Sequence, residues 1–173
     1  MAVQVKVLIS AEEIKKRVRE MGEEISRDYA DKELVVVGIL KGAFMFMSDL
    51  VREILVPLEV DFMATSSYGH ATKTSGVVRL LKDLDTPIEG RHILIVEDIV
   101  DSGLTLAYLT QLLQPRKPAS IKTAVLLDKP ERRRNEFEPD YVGFTIPDEF
   151  VIGYGLDYNN KFRELPYVGY VSG

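Results

Sequence analysis

The sequence predicts an α/β fold, a mostly parallel twisted sheet flanked by helices with a small C-terminal cap and a flexible flap. Three observations predict it. Short, β-rich apolar runs at 34–40 (LVVVGIL), 92–96 (HILIV) and 121–127 (IKTAVLL) have the length and composition of strands buried on both faces. Segments with helical periodicity lie between them, and strand–helix–strand alternation implies parallel pairing. Hydrophobic residues at 46% and charged residues at 28% match an ordinary soluble domain, which removes disorder as an alternative.

The elements follow in order. Ser10-Ala11-Glu12-Glu13 reads as a capping box, and Ile14, Val18, Met21, Ile25 and Tyr29 then recur on one helical face, so a helix is expected over about 10–29. The strand at 34–40 is followed by Lys41-Gly42 and a helical stretch to about 55. Leu58, Val60 and Phe62 alternate with Glu59 and Asp61, the pattern of a strand with one wet face or near a sheet edge, ending near Thr65. Residues 66–76 (SSYGHATKTSG) offer almost nothing to bury and precede another strand-like run at 77–81, so they read as a flap. The strand at 92–96 leads to a helix over 102–113. After Asp128 periodicity fades into short runs at 141–146 and 150–154 broken by prolines and glycines, which reads as a cap beside the sheet. A core at about 10–128 and a cap made mainly by 129–173 with the N-terminal residues are therefore expected. No repeat, low-complexity tract or linker separates them, so 1–173 reads as one domain, and 173 residues suffice to bury about 70% of the unfolded surface.

Composition also excludes functions. The longest apolar runs fall far short of the roughly 20 residues that cross a bilayer, so no membrane partner is expected. The start, MAVQVKVLIS, lacks the features of a secretory signal, and the absence of cysteine rules out disulfides and thiolate metal sites; both fit a cytoplasmic protein. A net charge of -5 gives no general attraction to nucleic acid, so an anionic ligand must be held by a local site. The basic cluster Arg132–Arg134 reads as a solvated loop rather than a phosphate patch.

That local site is expected at 96–105 (VEDIVDSGLT), where a buried strand runs into a helix start. Loop amides and helix N-termini converge at such junctions and attract anions. Gly103 lets backbone approach a ligand closely, and Ser102, Thr105 and the first-turn amides can surround a monophosphate. Glu97 and Asp98 can reach vicinal sugar hydroxyls or a magnesium ion, which prefers oxygen ligands. Asp101 faces whatever the sugar carries and can serve as a general base. Each piece alone makes a well-capped turn; the ten together after a buried strand point to a sugar-phosphate site.

These ten residues closely resemble the ribose-phosphate motif of the type I phosphoribosyltransferases. ILKGAF (39–44), SSYG (66–69), LLDKP (126–130) and PDEFVIGYGLDYNNKFRELP (147–166) resemble the hypoxanthine-guanine phosphoribosyltransferase family, over nearly the whole chain. The resemblance implies transfer of 5-phosphoribosyl from phosphoribosyl diphosphate to nitrogen 9 of a 6-oxopurine, with Mg2+. It assigns the ribose-phosphate site to Glu97, Asp98, Asp101, Ser102, Gly103, Leu104 and Thr105, although several family members carry a basic residue where Leu104 stands. It assigns diphosphate binding to Lys41 and Gly42, through a cis peptide, and to Arg163. Lys129 would donate to the purine oxygen, Phe150 stack on the ring, Val151 read its edge through backbone, and Asp157 hold the base or a second magnesium. Ser67 and Tyr68 would form the flap tip, while His70 and His92 read as bystanders. A homodimer or homotetramer is implied. Rivals are a transferase for xanthine, adenine or a pyrimidine, the last including an RNA-binding regulator. Lys129, Phe150 and Asp157 argue against adenine and the acidic balance against the regulator. Neither GxxxxGKS/T nor GxGxxG occurs.

Overall fold

The computed structural model describes residues 4–67 and 78–172. After strand β1 (Gln4–Ile9), the expected capping box starts helix α1 (Ala11–Asp28): the Ser10 hydroxyl accepts the Glu13 amide at 3.1 Å, and the Glu13 carboxylate accepts the Ser10 amide at 3.1 Å. Ile14, Val18, Met21, Ile25 and Tyr29 are all buried, the single apolar face that their spacing requires. Strand β2 (Leu34–Leu40) follows, then helix α2 (Phe44–Val51), shorter than the expected stretch to 55; Arg52 caps it and Pro57 lies just beyond.

Strands β3 (Leu58–Ser67) and β4 (Val78–Lys82) pair antiparallel. Strand β5 (His92–Val100), helix α3 (Leu104–Leu113), strand β6 (Ser120–Asp128) and strand β7 (Tyr141–Thr145) complete a six-stranded sheet of order β4-β3-β2-β5-β6-β7, parallel except at β4. Strands β8 (Val151–Ile152) and β9 (Val168–Ser172) join β1 in a separate antiparallel sheet of order β1-β9-β8.

Two differences from expectation matter. Residues 141–146 looked like cap, yet β7 adds to the main sheet, because Tyr141 is buried against α1 and its hydroxyl donates to Asp28 at 2.6 Å. Strand β5 also continues past Val96 to Val100, and α3 begins at Leu104 rather than Ser102, so the acidic pair sits on the sheet's last rungs. Glu97 pairs with Val125 and Ile99 with Leu127.

Alternation along the strands divides the core. Leu34, Val36, Leu94, Val96, Ala124 and Leu126 face α1 and α2, whereas Val35, Val37, Ile93, Ile95 and Val125 face α3. With both faces covered, the free ends of β2 and β5 become the place where backbone and side chains can meet a ligand. Among the described residues no helix is long and apolar enough to cross a membrane. Of the expected flap, Tyr68 and His70 lie outside the described residues, and Ser67 ends β3.

Candidate active site

At the ends of β2 and β5 lies a cavity of about 360 Å³ lined by Gly42, Thr65, Glu97, Asp98, Asp101, Ser102, Gly103, Thr105, Asp157 and Arg163, among others. Segments more than fifty residues apart in sequence thus supply one wall each. Lys41, Leu104, Lys129, Phe150 and Val151 are outside the lining.

The acidic wall is electrostatically loaded. Burial, and then the adjacent Asp98, push the Glu97 carboxyl well above its ordinary range. Burial also raises Asp98, opposed by hydrogen bonds from Glu97 and the Ile99 amide and by the charge of Arg163. The amide of Asp98 donates to Glu97 at 3.1 Å and that of Ile99 to Asp98 at 2.7 Å, which fixes both carboxyls. The donor set here is oxygen only. Among the described residues no three acidic or histidine side chains converge as a metal cage. Two carboxylates without a third suit Mg2+, which retains waters and takes substrate oxygens, better than an ion needing a full protein shell. Glu97, Asp98 and Asp157 share the cavity rather than a coordination sphere.

The wall expected to hold phosphate is built by backbone. Gly103 has φ +82 and caps α3, a left-handed conformation that glycine tolerates best. Gly103 lines the cavity, and the space that its missing side chain leaves is taken by other residues of the chain. A Cβ would lie 2.5 Å from Asn135 Oδ1 and 2.9 Å from Arg133 Cδ, so the close approach is to residues behind the loop. Inside the loop, the Asp101 carboxylate accepts the Ser102 amide at 2.5 Å and the Ser102 hydroxyl accepts the Leu104 amide at 3.3 Å.

On the opposite wall, the Leu40–Lys41 peptide is cis and Lys41 is exposed. Gly42 packs so closely on the acidic pair that a Cβ would meet Asp98 Oδ2 at 1.9 Å. Gly155, at φ +99, fits equally tightly against the Gly42 carbonyl, 2.1 Å from where its Cβ would stand. Arg163 donates to the Gly155 carbonyl at 2.6 Å while its Nη2 lies 3.5 Å from Asp157. The Tyr154 hydroxyl donates to Asp49, tying this loop to α2.

The expected base contacts form a separate group. Lys129 is buried, its amide donates to the Val100 carbonyl at 2.9 Å, and its Nζ lies 3.9 Å from Asp148. Phe150 is 58% exposed, which removes core packing as its role, and meets Tyr158 edge-on at 5.9 Å. Val151 is buried and pairs with Tyr170.

The Arg132–Arg134 reading needs correction. The Arg133 side chain is only 8% exposed and pairs with Asp128 at 2.8 Å. No periodicity marks that burial; Asn135 and Phe137 just beyond it are the only hint that the stretch folds back.

Comparison with known proteins places this geometry in context. Residues 6–159 match the profile described as "Phosphoribosyl transferase domain". A hypoxanthine-guanine phosphoribosyltransferase of Bacillus subtilis (strain 168) is 56% identical over 164 residues, covering 95% of this chain and 91% of the relative. A hypoxanthine phosphoribosyltransferase of Salmonella typhimurium is 53% identical over 169 residues, covering 96% and 95%. The crystal structure of a hypoxanthine phosphoribosyltransferase from Staphylococcus aureus superposes with a TM-score of 0.93 at 49% identity, covering 96% of this chain and 91% of that one.

Proposed function

This chain belongs to the phosphoribosyl transferase domain family, and on that premise we propose that it transfers 5-phosphoribosyl from phosphoribosyl diphosphate to N9 of hypoxanthine or guanine. The products are IMP or GMP and diphosphate, the reaction of a purine salvage enzyme. The observation that carries this reading is the single cavity in which an acidic strand end, a glycine-capped helix start, Gly42 and Arg163 meet.

The roles divide by chemistry. Ser102, Gly103, Leu104 and Thr105 offer amides and hydroxyls at the N-terminus of α3 to the 5-phosphate. Glu97 and Asp98 take the ribose hydroxyls. Lys41, the Gly42 amide and the Arg163 fork bind diphosphate oxygens. Glu97 and Asp98 would hold Mg2+, and Asp157 across the cavity the base or a second Mg2+; the ion would supply neutralisation of charge on the departing diphosphate. Cleavage at sugar carbon 1 passes through an oxocarbenium-like state that must be kept from water, a duty that falls to the flap residues Ser67 and Tyr68.

Asp101 acts as general base toward the incoming purine. Within the loop its carboxylate accepts the Ser102 amide. A phosphate that takes this amide releases the carboxylate, so base readiness follows phosphate occupancy. Lys129 selects an oxopurine by donating to its exocyclic oxygen, Phe150 stacks on the ring, and Val151 and Asp157 hold its edge. Exposed apolar Phe44 and Leu55 at the two ends of the α2 region suit a homodimer or homotetramer, and the lack of cysteine suits the cytoplasm.

Incubation with phosphoribosyl diphosphate, Mg2+ and each free base tests the reading directly. IMP and GMP are expected; a nucleotide from adenine or uracil instead, or none, would refute it.

A further inference from the structure

Three successive carbonyls of the proposed phosphate loop are gripped from behind by three successive residues. Arg133 Nη1 donates to the Asp101 carbonyl at 2.9 Å, the Arg134 amide to the Ser102 carbonyl at 2.9 Å, and Asn135 Nδ2 to the Gly103 carbonyl at 3.2 Å. Both side chains are themselves held. Arg133 Nε donates to the Phe137 carbonyl at 2.7 Å and Nη2 to Asp128 at 2.8 Å, so its guanidinium fork is spent in three fixed directions. Asn135 Oδ1 accepts the Phe137 amide at 3.1 Å, which orients its amide group toward Gly103.

A trans peptide points its carbonyl and the following N–H in opposite directions. Carbonyls drawn toward 133–135 therefore turn the following amides, those of Ser102, Gly103 and Leu104, the other way, and of these residues Ser102 and Gly103 line the cavity. The Ser102 amide is given to the Asp101 carboxylate and the Leu104 amide to the Ser102 hydroxyl, so an arriving anion displaces those side-chain acceptors while the peptides themselves keep their orientation.

We propose that Arg133 and Asn135 are positioning residues that hold the 102–104 amides in their anion-binding orientation without touching the substrate. The inference rests on the ribose-phosphate reading of the loop. It predicts a selective defect: weakened binding of the sugar phosphate with diphosphate binding intact, because the diphosphate wall is built by other segments.

The test measures the affinities of ribose 5-phosphate and of inorganic diphosphate with Mg2+ by calorimetry, in wild type, Arg133→Lys and Asn135→Ala. Lysine keeps a cation beside Asp128 but loses the fork; alanine at 135 leaves the buried ion pair untouched and serves if the lysine variant fails to fold. About a tenfold loss for ribose 5-phosphate, the scale of one charge-assisted hydrogen bond, with diphosphate affinity unchanged, is expected of Arg133→Lys, and a smaller loss of the same selectivity of Asn135→Ala. Equal losses for both ligands, or no loss for either, would overturn the brace. If the wild type itself bound no ribose 5-phosphate, the loop's reading would fall, and the brace with it.

Discussion

The two walls of the cavity are built in contrasting ways. The wall proposed to bind phosphate is one continuous strand–loop–helix, 96–105, whose shape comes from a strand buried on both faces and a glycine at φ +82. The opposite wall joins Gly42, Asp157 and Arg163 from distant segments, held by glycine-tight contacts between 42, 98 and 155. The first can be recognised locally and the second only after the chain has folded. The first should therefore respond to mutation within its own ligand, and the second through the joints between segments.

The largest expected effect lies on the continuous wall. Asp101→Asn should lower turnover by about a hundredfold or more, the usual scale for a general base, while binding of phosphoribosyl diphosphate persists; near-normal turnover in steady-state kinetics would remove Asp101 from the chemistry. Gly155→Ala probes the assembled wall. A Cβ at 2.1 Å from the Gly42 carbonyl, at φ +99, forces the segments apart. It should cost roughly 1–3 kcal/mol in thermal unfolding and weaken diphosphate binding more than ribose 5-phosphate binding. Equal weakening of both would erase the distinction between the walls.

Lys129→Ala should relax discrimination against adenine by about tenfold, the value of one lost hydrogen bond to a substrate oxygen, read as a ratio of kcat/KM values. An unchanged ratio would move the base site elsewhere. The smallest effect concerns the acidic pair. Glu97 and Asp98 have folded-state pKa values above their unfolded ones, so the native state holds more protons through that window, and stability falls as pH climbs through it from the ordinary carboxylate range. Mg2+ binds the ionised pair and should release protons on binding. It should raise Tm by about 2–4 °C, more at a pH well above the ordinary carboxylate range than within that range; an equal rise at both would separate the metal from these carboxylates.

Legibility in the sequence followed the same division. Continuous apolar runs at 34–40 and 92–96 announced a sheet covered on both faces, and Ser10 with Glu13 announced α1, because burial and capping are local signals. VEDIVDSGLT was readable as a sugar-phosphate site since each group's use follows from its neighbours. What stayed hidden was tertiary. β7 reads as irregular because only pairing with β6 makes it a strand. Arg133 looks like surface charge because its partners, Asp128 and the Asp101 carbonyl, are set by the fold. The neighbours that need Gly103 bare stayed hidden for the same reason: a glycine's need for space is visible in sequence, but Asn135 and Arg133 are brought behind it only by the fold. Resemblance supplied Lys41, Arg163, Lys129, Phe150 and Asp157, of which the geometry brings Asp157 and Arg163 onto the cavity wall.

A crystal structure with ribose 5-phosphate and Mg2+ tests the central claim most directly. The account predicts phosphate oxygens about 2.7–3.1 Å from the amides and hydroxyls of residues 102–105, with the ribose hydroxyls on Glu97 and Asp98. A phosphate bound elsewhere in the cavity, with those amides still turned to Asp101 and Ser102, would contradict it.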